Sequence, residues 1–262
     1  MHELKIMKLM SHQLQKEMTL RILLPESYGH SNKSYPVLYM HDGQNLFEDE
    51  TATYGYSWQI KKTMDHMVSK REVKDFIIVG IDSDKDRLDV YSPWKNDPKY
   101  HQKLGQSFGG KGDLYIDWLV LDLKPWIDQN YRTLKEKRHT LMAGSSMGGF
   151  ISLYAACKYP DIFGFTGLFS TSLWFNETLM IDYLRSSLIS SNHQFFISVG
   201  TIEVNENPND SANLIYVKNS KKIASILSDL GVKNIKLLIT HEKHHEQAWS
   251  HQFIECLKFL NL

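Results

Sequence analysis

The chain has 262 residues, of which 42% are hydrophobic, 12% aromatic and 23% charged. This composition is typical of a globular protein with a sizeable core, and it excludes intrinsic disorder, a collagen and a disulfide-rich scaffold. The 30 Lys and Arg side chains balance the 30 Asp and Glu side chains, so no global field attracts nucleic acid or an anionic membrane. We therefore expect neither of these partners, and any ligand must be recognised locally.

The chain shows no linker, repeat or low-complexity tract, which predicts a single domain over residues 1–262. Cys157 and Cys256 lie in apolar stretches of predicted helices, so we expect buried thiols rather than a disulfide. The N-terminal stretch lacks the apolar run of a signal peptide, and no segment is long and apolar enough to span a bilayer. The expected location is therefore the cytoplasm.

Short apolar runs rich in β-branched residues alternate with longer stretches of helical spacing. This pattern predicts an α/β fold with a mostly parallel sheet of about eight strands covered by helices on both faces. The strands, of which the first two form an antiparallel hairpin, are predicted around Leu4–Met10, Met18–Leu24, Val37–Met40, Phe76–Ile81, Thr140–Ala143, Phe165–Phe169, Phe195–Val199 and Ile235–Ile239. The helices are predicted at Trp58–Lys70, Leu114–Asn130, Met147–Lys158, Glu177–Ser187, Leu214–Leu230 and Glu246–Leu260.

One long stretch, residues 82–112, fits neither period and is polar, aromatic and glycine-bearing. It follows the end of the fourth strand, where ligands bind in open α/β sheets. Long loops in compact domains are usually functional or disordered. Tyr91, Trp94 and Phe108 favour packing of part of this stretch over a site, so we expect an active-site loop, with a plain surface loop as the alternative.

A G-x-S-x-G pattern, Gly144-Ser145-Ser146-Met147-Gly148, stands between a predicted strand and a predicted helix. A serine on such a tight turn has its hydroxyl raised above the sheet, and small neighbours are needed because strand and helix approach closely. The amide of Met147 would lie at the helix N-terminus, where it can stabilise an oxyanion. The pattern predicts Ser146 as a nucleophile; the alternative is a glycine-rich packing turn.

A serine nucleophile requires a base and an orienting acid, which should follow later strands. Glu203 comes just after the strand Phe195–Val199, whereas Glu206 and Asp210 lie further into a polar turn. A histidine cluster follows the last strand, and the order Ser146, Glu203, His244 is the one expected of an α/β-hydrolase. The sequence thus predicts a Ser-His-Glu triad.

The same histidine cluster is also a candidate metal site, because His241 and His245 are four residues apart, with Glu242 and Glu246 close by. The first of these histidines should end a strand while the second begins a helix, so helical facing does not bring the two together. We therefore expect no metal.

A second oxyanion donor is expected from the loop after the third strand, which reads His41-Asp42-Gly43-Gln44. Gly43 would let the backbone turn sharply so that the Gln44 amide faces the site. The alternative is an ordinary Asp-Gly turn.

Several distinctive motifs are spread over nearly the whole chain, namely PVLYMHDGQNLF, RLDVYSPW, LKPWIDQNYRT, MAGSSMGGFISLYAACKYPDIFG, FSTSLWF, VGTIE and HHEQAW. As a set they resemble the putative-esterase family of α/β-hydrolases, which includes siderophore, feruloyl and acetyl-xylan esterases and mycolyltransferases. The resemblance implies an α/β-hydrolase fold and a serine carboxylesterase with no metal or organic cofactor.

Carried over motif by motif, the resemblance places the nucleophile on Ser146, the acid on Glu203, the base on His244, and the oxyanion amides on Gln44 and Met147. It also implies substrate contacts by three residues of the long loop, Arg87, Tyr91 and Trp94.

The sequence departs from the family pattern at four positions. His245 replaces the usual Asn, His241 and Glu242 stand where glycines are usual, and Thr171 stands where many members have Pro. His245 is therefore an alternative base on reach alone.

The expected function is hydrolysis of a small acyl or acetyl ester through an acyl-enzyme, with a small-molecule ester as the partner. Alternatives are an intracellular siderophore (trilactone) esterase, an acyltransferase on the same triad, and a catalytically silent binding module. A siderophore site would need the basic residues of the long loop, which are Arg87, Lys95, Lys99, Lys103 and Lys111. A homodimer would be favoured by an exposed apolar edge.

Overall fold

The computed structural model describes residues 1–100 and 105–260, and within them eight strands form a single sheet in the order β1-β2-β4-β3-β5-β6-β7-β8. β1 and β2 form an antiparallel hairpin, β2 pairs antiparallel with β4, and all other pairs are parallel. The predicted strands are confirmed, and the observed bounds are β1 Glu3–Ser11, β2 Lys16–Leu24, β3 Val37–His41, β4 Ile77–Ile81, β5 Thr140–Ser145, β6 Phe165–Phe169, β7 Gln194–Gly200 and β8 Asn234–Thr240.

The predicted helices are also confirmed, with one interruption. The helix expected over Leu114–Asn130 contains a π-helical turn at Leu119–Leu123 that divides it into two α-helical parts. A short helix that the sequence does not predict lies in the long loop. The helices are α1 Ile60–Ser69, α2 Arg87–Val90, α3 Gly112–Trp118, α4 Lys124–Asn130, α5 Met147–Lys158, α6 Glu177–Arg185, α7 Ser211–Asp229 and α8 Glu246–Phe259.

The core lies on both faces of the sheet. Every residue of β3, β4 and β5 is buried, because parallel strands in the middle of a sheet are covered by helices on each side. On one face α1 and α8 pack through side chains such as Met64 and Phe253. On the other face α3 to α7 pack through side chains such as Trp118 and Phe150. The α/β-hydrolase fold class is thereby confirmed.

The described part of the long loop, residues 82–100 and 105–112, contains more regular structure than its sequence suggests. Besides α2 it contains a 3-10 turn at Pro98–Tyr100 and an antiparallel bridge between Lys95 and Gly109. The Asp89 carboxylate accepts a hydrogen bond of 2.8 Å from the Gly109 amide. Hydrogen bonds with polar side chains therefore hold this segment, whose sequence has no regular spacing of apolar residues. Lys103, one of the basic residues considered for a siderophore site, lies outside the described residues.

Both cysteines are buried and free. Burial raises the pKa of the Cys157 thiol to about 12 and raises that of Cys256 as well, so neither thiol is a reactive nucleophile at neutral pH. Over residues 1–100 and 105–260, no helix combines the length and apolar character needed to cross a membrane.

Candidate active site

The predicted nucleophile, Ser146, occupies the turn between β5 and α5. Its backbone angles are φ 56° and ψ −120°, a conformation that costs energy for any residue with a side chain. Three backbone hydrogen bonds hold it there: its N–H donates to Phe169 at 2.8 Å, and its carbonyl accepts from Phe150 and Ser172 at 3.1 Å each. Its Oγ lies 3.0 Å from the Oγ of Ser172.

The glycines of the G-x-S-x-G pattern are explained by the close approach of β5 and α5. A Cβ on Gly144 would lie 2.6 Å from the carbonyl group of Gly148, which is well inside van der Waals contact. A larger residue at this position would push the helix away from the strand and move Ser146 with it.

The predicted acid and base are hydrogen-bonded to each other. Glu203 Oε2 lies 2.6 Å from His244 Nδ1. The other oxygen, Oε1, accepts from the Gly200 amide and the Ser170 hydroxyl, each at 2.6 Å. The Glu203 side chain is 0% exposed, so its charge is stabilised by these three donors rather than by water. A carboxylate only accepts, so Nδ1 carries the hydrogen and Nε2 is left to take a proton.

Ser170, which holds the acid, is itself fixed from a second side. The indole Nε1 of Trp249 donates to the Ser170 hydroxyl at 3.0 Å, so that hydroxyl directs its own hydrogen to Glu203. The ring of Trp249 also meets the His244 ring edge-on, at 5.0 Å between centroids. Glu203 and His244 are therefore held by Ser170, directly after β6, and by Trp249 of α8.

The alternative acids lie elsewhere. Glu206 is exposed and pairs with Lys243 at 2.5 Å. Asp210 caps α7 by accepting from the Ala212 amide at 2.8 Å.

The alternative histidines have other partners. His241 lies 3.0 Å from the Thr201 hydroxyl, while His245 accepts from the Gln247 amide at 3.2 Å and caps α8. Among the candidates within the described ranges, the structure joins Glu203 to His244.

The predicted second oxyanion donor lies on a 3-10 turn, Gly43–Asn45, directly after β3. A Cβ on Gly43 would lie 2.8 Å from the carbonyl carbon of Gly80 in β4, so only glycine fits this close approach. The Gln44 side chain is held by Ser83, which accepts from Nε2 at 2.8 Å and donates its N–H to Oε1 at 2.9 Å.

The backbone N–H groups of the two predicted oxyanion residues donate to no backbone carbonyl. Within residues 1–100 and 105–260, the Gln44 N–H has no backbone carbonyl as an acceptor. Met147 is the first residue of α5, so its N–H has no acceptor within the helix. Both amides are therefore available to a ligand.

Ser146, His244 and Gln44 line one cavity of about 590 Å³. Glu246 also lines it, and burial raises the pKa of this carboxyl group. Tyr54, which is largely exposed, stands at the cavity as well. The cavity combines a predicted nucleophile, a predicted base and several polar side chains, which is the form of a small-molecule site.

Of the three predicted substrate-contacting residues, only Arg87 lines the cavity, and its guanidinium is already hydrogen-bonded to a carboxylate. Nε and Nη2 each donate to the buried carboxylate of Asp42 at 2.7 Å. Tyr91 is 2% exposed, and its hydroxyl accepts from the Asp42 amide at 3.0 Å. Trp94 packs edge-on against Tyr154. Tyr91 and Trp94 are therefore not among the residues that line this cavity, and a substrate contact for any of the three residues stays a prediction.

Residues 11–260 match the family model described as Putative esterase. The chain belongs to this esterase family. It is a carboxylic ester hydrolase, and the resemblance inferred from its motifs is confirmed.

This esterase is similar to two curated bacterial proteins. It is 28% identical over 242 residues to the uncharacterized protein YbbA of Bacillus subtilis (strain 168), covering 91% of this chain and 90% of that protein. It is 30% identical over 142 residues to Esterase Rv1288 of Mycobacterium tuberculosis (strain ATCC 25618 / H37Rv), covering 53% of this chain and 26% of that protein.

Solved structures share the fold of the esterase. A ferulic acid esterase superposes with a TM-score of 0.75 at 18% identity, covering 99% of this chain and 98% of that one. The enterobactin esterase FES from Shigella flexneri also superposes with a TM-score of 0.75, at 15% identity, covering 98% of this chain and 58% of that one.

Three residues near the candidate site receive no role from the sequence. Asp42 is predicted only as part of a turn, and Ser170 and Ser172 occur only within a motif. The available signal was position: the carboxyl ends of parallel strands meet at one edge of the sheet, and these residues directly follow β3 and β6.

Proposed function

We propose that this esterase hydrolyses a small acyl or acetyl ester through an acyl-enzyme, with Ser146 as nucleophile, His244 as base and Glu203 as orienting acid. The proposal is supported above all by the 2.6 Å hydrogen bond between Glu203 Oε2 and His244 Nδ1. That bond leaves Nε2 as proton acceptor in the cavity that Ser146 also lines.

In the first step, Ser146 Oγ attacks the ester carbonyl carbon while its proton passes to His244 Nε2. The carbonyl oxygen becomes an oxyanion that accepts from the amides of Gln44 and Met147; loss of one such donor typically costs about 3 kcal/mol. Collapse breaks the bond between the carbonyl carbon and the alcohol oxygen, and the alcohol leaves with the proton from His244.

In the second step, water attacks the acyl-serine and gives one proton to His244. The tetrahedral intermediate collapses, the carboxylic acid leaves, and the proton returns to Ser146 Oγ. Glu203 stays ionised throughout, and it stabilises the imidazolium that forms in each step.

Three of the basic residues considered for a siderophore site have acidic partners. Arg87 is bonded to Asp42, and Lys99 pairs with Asp97 at 2.9 Å. Lys111 lies 4.0 Å from a carboxylate oxygen of Asp86. Lys85, however, also lines the cavity, so a catecholate trilactone stays among the substrates to be tested. The names of the relatives, which include a feruloyl esterase and enterobactin esterases, keep an aromatic ester among the substrates to be tested.

The test is hydrolysis of p-nitrophenyl acetate and p-nitrophenyl butyrate by the wild type and by Ser146→Ala. We expect the variant to lose turnover while its melting temperature changes little, because only one hydroxyl is removed. Ser69→Ala is the control, since it deletes the hydroxyl of an exposed serine that does not line the cavity and should keep activity. Turnover retained by Ser146→Ala would refute the assignment.

Two further outcomes separate the alternatives. Ester products formed from an added alcohol would identify an acyltransferase. A wild type that lacks turnover on every ester tried, yet binds an ester analogue, would identify a silent binding module.

A further inference from the structure

Ser172 contacts the proposed nucleophile through both its backbone and its side chain. Its Oγ lies 3.0 Å from Ser146 Oγ, and its N–H donates to the Ser146 carbonyl at 3.1 Å. Ser172 is 1% exposed, so water does not compete for its hydroxyl. The triad gives this residue no role, although its oxygen is within hydrogen-bond distance of the reacting atom.

Tyr216, from α7, continues the contact away from the cavity. Its hydroxyl accepts from the indole Nε1 of Trp174 at 2.9 Å, and Ser172 is another polar neighbour of this hydroxyl. Its ring lies 5.2 Å from the His244 ring, centroid to centroid. Burial raises the pKa of Tyr216 against the opposing effects of Ser172 and Trp174, so the hydroxyl keeps its proton and remains a donor at neutral pH.

The bond from Trp174 determines where the Tyr216 hydroxyl can send its own hydrogen. An indole N–H only donates, so the Tyr216 oxygen is the acceptor there and its single hydrogen is available for Ser172. With Tyr216 as donor, Ser172 can turn its own hydrogen to Ser146 Oγ, 3.0 Å away. The hydrogen of Ser146 is then available for the imidazole of His244, which lines the same cavity.

We propose that Ser172 donates a hydrogen bond to Ser146 Oγ, and that Tyr216 is a positioning residue that sets the direction of this bond, so that the nucleophile presents its proton to His244. The proposal rests on the proposed function of Ser146 and His244. As the proton leaves Ser146, the Ser172 hydroxyl stabilises the negative charge that develops on Oγ. Ser172 keeps its own proton throughout, so the balance of the reaction is unchanged.

The inference is tested with four variants of the full chain: Ser172→Ala, Ser172→Thr, Tyr216→Phe and Thr171→Val. Two rates are measured for each, namely turnover of p-nitrophenyl acetate and phosphonylation of Ser146 by an alkyl fluorophosphonate, which releases fluoride. The second rate reports on the nucleophile without deacylation. Thr171→Val is the matched control, because among the described residues the buried Thr171 Oγ1 has no hydrogen-bond partner.

For Ser172→Ala we expect kcat and the phosphonylation rate to fall together by about 10- to 100-fold, with KM within about 2-fold, because one hydrogen bond to a developing charge is lost. Ser172→Thr keeps the hydroxyl and should recover most of the rate. Tyr216→Phe keeps the ring against His244 and should slow both rates by about 3- to 10-fold. Thr171→Val should match the wild type.

The opposite order of hydrogen bonds would overturn the inference. If Ser146 instead donates to Ser172, removal of the Ser172 hydroxyl frees the nucleophile, and Ser172→Ala reacts as fast as the wild type or faster. If Ser172→Ala is too unstable to assay, Tyr216→Phe decides, and wild-type rates in that variant refute the proposal. Failure of the proposed function looks different, since wild type and Ser146→Ala would then react equally slowly.

Discussion

Arg87→Ala offers a quantitative test of how the loop that carries Gln44 is held. In the wild type, Arg87 donates two hydrogen bonds of 2.7 Å to the Asp42 carboxylate. The Asp42 side chain is 7% exposed and that of Arg87 is 28% exposed. Asp42 stands at φ 58° directly before the turn Gly43–Asn45, so the ion pair ties the long loop to this turn.

The expected loss in free energy of unfolding comes from the Asp42 carboxylate, which stays buried without its partner. Removing one partner of a buried pair typically costs about 3–5 kcal/mol, because the remaining charge is uncompensated. We expect the lower end, about 3 kcal/mol, because the truncated Arg87 side chain would admit water and Ser83 also hydrogen-bonds the Asp42 carboxylate. Turnover should fall with stability, since the Gln44 amide is then less well positioned.

The free energy of unfolding that the Arg87–Asp42 pair contributes should depend on pH. In the wild type, burial raises the pKa of Asp42, but the attraction and hydrogen bonds of Arg87 outweigh it, so this pKa is lowered. The pair therefore contributes stability that is present above the unfolded pKa of about 3.9 and is lost as the pH falls through the folded value. In Arg87→Ala the effect of burial outweighs the remaining hydrogen bond from Ser83, so the pKa of Asp42 rises. Protonation of Asp42 then removes the uncompensated buried charge. The loss of stability should be larger at pH 7 than at pH 5.

The assay is urea denaturation at both pH values for the wild type, Arg87→Ala, Asp42→Asn and the double variant. Asparagine tolerates the left-handed backbone of Asp42, and the double variant should recover part of the loss because no charge stays buried. Lys8→Ala is the control, since it breaks an exposed pair with Glu17 and should hardly change stability. A cost for Arg87→Ala that is below about 1 kcal/mol, or that does not shrink toward pH 5, would refute the reasoning.

Three further predictions concern the predicted acid Glu203, the turn that carries Gln44, and His2, the residue before β1. Glu203→Gln should lower kcat for p-nitrophenyl esters by about 10⁴-fold, because an amide permits the wrong imidazole tautomer; a loss below about 10-fold would contradict the role of Glu203. Gly43→Ala places a Cβ 2.8 Å from a carbonyl carbon of the neighbouring strand and should lower kcat by about 100-fold or more, whereas wild-type kcat would show that the turn is not used. Burial lowers the pKa of His2, but hydrogen bonds and attraction from Asp75 and Asp65 outweigh it and raise that pKa. His2 therefore contributes stability that is complete below about pH 6.5 and is lost as the pH rises through the raised value. Urea denaturation should show a larger penalty for His2→Ala at pH 6 than at pH 9, and equal penalties would contradict this account.

Much of the fold could be predicted from the sequence because its determinants are local. Apolar runs with a period of two or of about 3.6 residues report burial directly, and they located every strand and long helix to within a few residues. The turn between β5 and α5 could also be predicted, because the backbone strain at Ser146 and the close packing at Gly144 restrict which residues fit there. The motifs also sufficed to place the chain in its esterase family.

Tertiary structure decided which polar groups meet. Arg87 and Asp42 are 45 residues apart, and nothing local in either segment shows that they form an ion pair. The same holds for Ser172, whose hydroxyl lies 3.0 Å from that of Ser146, and for Tyr216 of α7, whose ring lies 5.2 Å from that of His244. For the same reason the sequence places Tyr91 among the substrate contacts, whereas the fold buries its ring and directs its hydroxyl to the Asp42 amide. Periodicity encodes which face of an element is apolar, whereas the pairing of single polar side chains depends on how whole elements are stacked.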